Sequence, residues 1–162
     1  MDPSTILLKY NLEPEADYTW FDCESFSEAG NYISLLEELV HTSKGDFNAN
    51  KITCVQGYTD KNEYYIVEIL FYFQNAQHKI RILCEEWFDK DFIHQLNAII
   101  AQYSGLTERF YAVRTGDQSM ILIFASPDLK AQLEKEDMID DLEDYTTIKP
   151  QDFDSLTIVE YR

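Results

Sequence analysis

The run "EYYIVEILFYF" (63–73) limits the folds open to this chain more than any other stretch. It is rich in β-branched and aromatic residues and too apolar on both faces for an edge strand, so it reads as a strand through the middle of a sheet. Similar runs stand on either side of it. "KITCVQGY" (51–58) reads as a short strand ending near Gly57. "HKIRILCE" (78–85) alternates, with Ile80, Ile82 and Cys84 on one face and Lys79, Arg81 and Leu83 on the other. The short polar link "QNAQ" predicts an antiparallel hairpin between 63–73 and 78–85.

Helical patterns bracket these strands. In "FSEAGNYISLLEELVHTSKG", Tyr32, Ile33, Leu36, Leu39 and Val40 recur at helical spacing, with Ser27 as N-cap, Glu28 in the first turn and Gly45 near the end. In "FDKDFIHQLNAIIAQYSG", Phe92, Leu96, Ile99, Ile100 and Tyr103 form the stripe. Asp89 reads as its N-cap, Asp91 as a first-turn acid and Gly105 as the C′ residue. "RFYAVRTGDQSMILIFA" predicts a second hairpin turning at Thr115-Gly116-Asp117. "SPDLKAQLEKE" predicts a third helix capped by Ser126, with Pro127 at its first position. Residues 156–161 are a candidate final strand. The expected fold is one α+β domain over 1–162, ordered α-βββ-α-ββ-α, with a largely antiparallel sheet and helices packed mainly on one side.

Charge is segregated along the chain. The net charge is −17. Residues 1–43 hold nine acids and one lysine, and residues 134–160 hold ten acids and two lysines, while the centre is nearly balanced. Such a surface repels nucleic acid and anionic lipid, so the expected partner is a protein with an electropositive surface. No apolar run reaches the roughly 18–20 residues of a membrane span. The N-terminus has no basic region followed by a cleavage site, so a cytoplasmic protein is expected. Cys23, Cys54 and Cys84 are odd in number and carry no CxxC, which reads as reduced, buried thiols.

"EKEDMIDDLEDY" (134–145) concentrates seven carboxylates around one lysine. As a calcium loop begun at Asp137 it puts Ile139, Leu142 and Ile148 where an acid, a glycine and a glutamate are required, so it fails. It reads as a helix extension or loop with Leu133, Met138, Ile139 and Leu142 inward and the acids outward. That outer face is either simply solvated or a surface for a basic partner, and the scarcity of basic neighbours favours the second. The candidate binding residues are Asp137, Asp140, Asp141, Glu143 and Asp144, with Glu134 and Glu136 outside them. The less certain acidic segment extends over 134–155. A second candidate patch is Asp17, Asp22, Glu24 and Glu28. In "CEEWFDKDF" (84–92), acids beside Trp87 and Phe88 resemble an acid–base pair, but their place at a strand end and a helix start favours capping and packing. The three histidines make no metal spacing, and there is no P-loop, GxGxxG turn or GxSxG elbow. Neither an enzyme nor a cofactor is expected.

Taken in order, "FDCESFSEAGNYISLLEELVHTSKGDF", "KIRILCEEWFDKDFIHQLNAII" and "RFYAVRTGDQSMILIFASPDLKAQLEK" resemble small bacterial cytoplasmic proteins of the immunity type, carried beside polymorphic or contact-dependent toxins. The resemblance covers roughly residues 21–135. It implies a non-enzymatic inhibitor that binds a cognate toxin domain and covers its active site, and it carries no catalytic residues over to this chain. The alternatives are a general acidic interaction or adaptor protein and, behind it, an unrecognised hydrolase.

Overall fold

The computed structural model describes residues 2–58, 65–142 and 157–161. Its elements are α1 (Pro3–Leu8), β1 (Tyr18–Asp22), α2 (Ala29–Thr42), β2 (Asn50–Tyr58), β3 (Tyr65–Phe73), β4 (Ala76–Leu83), α3 (Asp91–Ile100), β5 (Arg109–Val113), β6 (Ser119–Ala125), α4 (Pro127–Lys135), β7 (Ile139–Asp140) and β8 (Thr157–Tyr161). The class is α+β with antiparallel strands, and the expected order holds from α2 to α4. The strands divide into two sheets, β1-β6-β5-β7 and β4-β3-β2-β8.

The sequence dictates this division. β6 is buried on both faces, and its residues alternate between two cores. Met120 and Leu122 join the larger core with α2 and α3, whereas Ile121 and Ile123 join the smaller one with Leu7 of α1 and Leu133 of α4. The second sheet presents Val67, Ile69, Phe71 and Phe73 of β3 to the larger core. Helices α2 and α3 touch strands of both sheets and therefore lie between them. Aromatic rings fill the join, with Phe88 and Phe92 packed edge-on and Tyr32 stacked on Phe88. As expected, β3 runs centrally in its sheet.

Helix α3 fastens both sheets by side-chain carboxamides. Gln95 accepts from the Arg81 N–H (2.9 Å) and donates to the Arg81 carbonyl (2.6 Å), covering the outer edge of β4 at that residue. Asn97 does the same for Phe110 of β5, at 2.9 and 2.8 Å. Two residues apart on a helix means about 200° around its axis, so one residue faces each sheet. Asp89 completes the β4 edge: its buried carboxylate accepts from Leu83 N–H at 2.9 Å and Asp91 N–H at 3.1 Å.

Several expected boundaries shift. The N-cap of α2 is Glu28, whose N–H is accepted by Asn31, rather than Ser27. Lys90 holds the cap position of α3, because Leu83 draws Asp89 one residue further out, although Asp89 still receives a first-turn N–H. That helix ends at Ile100 with Ala101 in a right-handed conformation, so Gly105 is not its C′ residue. The 63–73/78–85 hairpin forms, tightened to the two residues Gln74 and Asn75, both at positive φ (55° and 62°), the signature of a type I′ turn. Ser126 caps α4 by accepting from Leu129 N–H (3.1 Å), with Pro127 at the first position, as expected.

All three cysteines are free and buried. Burial pushes the thiols up, Cys23 and Cys54 to about 11 and Cys84 to about 12. Their protonated state therefore contributes stability that is fully present below about pH 9, the unfolded thiol value, and is lost as pH rises through 11–12. The expected result is that no thiol reacts with an aromatic disulfide reagent at pH 8 until denaturant is added, when three do, and that the unfolding midpoint falls as pH climbs above 9. A thiol that titrates rapidly in the native protein would contradict this packing.

Candidate functional site

The acidic stretch does not continue α4. The helix stops at Lys135, Asp137 turns the chain at φ 56°, and Ile139–Asp140 add to β5 as a two-residue edge strand. Leu133, Met138 and Leu142 are buried and Ile139 is half-buried, so the apolar residues point inward as expected. The helix extension is thus corrected to a turn and a strand, because the Met138 carbonyl is captured by Arg114 N–H (2.7 Å) at the end of β5.

The pairing of these acids also differs from their sequence surroundings. Glu134 lies 3.7 Å from Lys130, Glu136 lies 3.5 Å from Lys9 and Asp137 lies 3.8 Å from Arg114. Tyr10 donates to Glu136 and holds its carboxyl below the usual range, with Lys9 adding to the effect. Three of the expected binding acids thus stand beside a base, two of them, Glu136 and Asp137, beside bases that are remote in sequence. Each such exposed pair is worth only about 0–1 kcal/mol. Asp137 remains largely solvent-facing, its side chain 91% exposed. Asp140 is half-buried and Asp141 exposed. Glu143 and Asp144 lie outside the described residues.

Asp140 belongs to two adjoining hollows. The first, of about 550 Å³, is walled by the loop Cys84–Lys90 and the β5–β6 turn, with Glu85, Trp87, Lys90, Arg114, Asp117 and Asp140 on its rim and Cys23, Phe88 and Met120 deeper. The second, of about 440 Å³, lies between α3 and α4 and includes Glu134, Asp137, Asp140 and Asp141. Both walls of the first are fixed by hydrogen bonds. The Cys84–Lys90 loop is held to the segment after β1 by Phe26 N–H to Glu86 (3.1 Å) and Phe88 N–H to Cys23 (2.7 Å). In the turn, Asp117 accepts from the Ser119 N–H (2.7 Å) and from Thr115 (3.0 Å). The Ser119 hydroxyl is the main cause that holds the Asp117 carboxyl below its usual range. Trp87 stands 51% exposed at this rim, a large apolar surface left open to solvent.

The second expected patch does not gather. Asp17 bonds Lys44, which keeps its carboxyl low, and also accepts from Glu13 N–H. Glu28 caps α2. Asp22 accepts from Gln118 (3.0 Å), which itself lines the first hollow, so Asp22 stands next to that hollow without lining it, and Glu24 is exposed. The residues that sequence reading assigned to structure divide. Phe88 and Asp89 are buried and structural, while Glu85 and Trp87 face the hollow. The sequence presents Asp117 only as a turn residue. For Glu85 and Trp87 the signal is a tryptophan set among acids; Asp117 carries none, and their convergence needs the β5–β6 turn.

Among the described residues, no three His, Cys, Asp or Glu side chains gather to hold a metal ion. None of the described helices is long and apolar enough to cross a membrane. No family model, curated protein or solved structure matches the chain.

Proposed function

We propose that this chain is a non-enzymatic, cytoplasmic inhibitor of the immunity type, which neutralises a bacterial toxin domain by covering its electropositive active-site cleft. One observation carries the reading: two hollows joined at Asp140 set Glu85, Asp117, Asp137, Asp140 and Asp141 around a concave surface, with Trp87 open at its rim. A toxin acting on nucleic acid needs a basic cleft for phosphates, and preorganised carboxylates can occupy such a cleft in their place. Trp87 supplies the rigid aromatic anchor around which interfaces concentrate their energy. Lys90 and Arg114 on the same rim give the surface mixed sign, which favours a specific register over diffuse attraction. The pairing of Glu134, Glu136 and Asp137 with nearby bases favours a second reading, a general acidic adaptor whose surface is only moderately charged.

Co-expression separates the two. A toxin domain encoded beside this chain's gene is expected to stop growth alone and to be harmless with the chain present. Growth arrest despite stable co-expression, or turnover of esters, glycosides or phosphoesters by the purified chain, would overturn the inhibitor reading.

A further inference from the structure

Side chains from α3 and the loop before it cover part of one sheet edge. On β4 the outer backbone groups of Arg81 are taken by Gln95, and the Leu83 N–H by Asp89. Among the described residues, the edge of β1 is left open at its centre. Cys23 N–H donates toward β6, to Gln118 (3.1 Å), and alternation along the strand then turns the backbone groups of Asp22, Trp20 and Tyr18 away from β6. The Tyr18 carbonyl accepts from Glu15 N–H (2.9 Å) and the Asp22 carbonyl from Ser25 N–H (3.2 Å). Between them, the N–H and carbonyl of Trp20 point outward without a partner among the described residues.

A cleft of about 540 Å³ runs beside this edge, between β1 and α2. Its walls carry Glu15, Glu37 and Glu38, with His41 the single basic side chain lining it. Thr19 donates to Glu38 at 2.6 Å and fixes that carboxylate against the strand. Trp20 is 41% exposed, and its Nε1–H donates to Ser119 (2.8 Å), which holds the indole in one orientation. An open strand edge recognises extended backbone, and three carboxylates select cations.

We infer that the β1 edge binds an extended, basic segment of a partner protein as an added strand, paired to the backbone of Trp20 with its cationic side chains toward Glu37 and Glu38. This inference does not depend on the partner's being a toxin. It differs from the groove at Asp140 in using backbone pairing rather than charge alone.

The test uses the full chain, labelled with nitrogen-15, and a six-residue peptide of alternating lysine and valine. Binding is expected to slow exchange of the Trp20 amide at least tenfold and to shift its resonance together with those of Thr19 and Glu38. Peptides N-methylated at alternate residues, in either phase, keep every charge, and the phase whose methyls face β1 is expected to bind at least tenfold more weakly. Equal binding of both methylated peptides would reduce the contact to charge attraction and overturn the inference. So would equal binding of a glutamate–valine peptide, or a Trp20 amide already protected in the free chain in a concentration-dependent way, which would mean that a second copy takes the edge.

Discussion

Replacing Asn97 with leucine is expected to cost about 2–4 kcal/mol of folding stability, although the new side chain has nearly the same volume. The substitution leaves the N–H and carbonyl of Phe110 without the carboxamide that now pairs both. Each buried group so orphaned costs about 1–3 kcal/mol, and the half-buried position of Asn97 places the sum toward the lower end. Gln95→Met orphans the two Arg81 groups in the other sheet and is expected to cost a similar amount. Because the two residues serve different sheets, the double variant should lose nearly the sum, about 4–7 kcal/mol, a large share of the stability typical of a domain. Urea denaturation followed by circular dichroism measures these losses. Ala98→Ser, exposed and next to Asn97 on the same helix, is the control and should stay within about 0.5 kcal/mol. Losses below 1 kcal/mol for both carboxamides would mean that α3 is held by apolar packing alone.

The second large effect is on partner binding. Neutralising Glu85, Asp140 and Asp141 together, as Gln, Asn and Asn, is expected to weaken binding of a basic toxin domain about a hundredfold. Single exposed charges contribute about 1 kcal/mol or less, but three set along the two adjoining hollows add, and about 1.4 kcal/mol corresponds to tenfold. The fold should tolerate the change, since Glu85 and Asp141 are exposed and Asp140 half-buried. Calorimetric titration of the purified domain reads the loss. Unchanged affinity would remove these acids from the interface.

Much of the frame was legible because it is written in local pattern. The both-sided apolarity of β3, the Ser126-Pro127 start of α4 and the stripe Phe92, Leu96, Ile99 and Ile100 each report their own state. What was illegible depends on partners distant in the chain. The five residues of β1 are held by β6, and the two of β7 by β5. The first helix did leave a signal, Asp2 capping Ser4 N–H ahead of Pro3 at the first position, but at six residues it carries no readable stripe. The acidic stretch misled in the same way: sequence shows Lys135 within it and Lys130 one helical turn before it, whereas the fold adds Lys9 and Arg114 from far along the chain. A groove formed from residues 85–90, 114–119 and 140 has no linear signature.

Association kinetics of the proposed partner, a toxin domain encoded beside the gene, with wild type and with the triple variant at Glu85, Asp140 and Asp141 test the central claim most directly. The series runs from about 10 mM to about 1 M salt, over which the screening length falls from about 30 Å to about 3 Å. The account predicts a wild-type on-rate that drops steeply with salt, a variant that is slower at low salt with a shallower slope, and convergence of the two at high salt. Equal rates with equal slopes at every salt concentration would mean that the acidic groove is a solvated face and that the partner binds elsewhere.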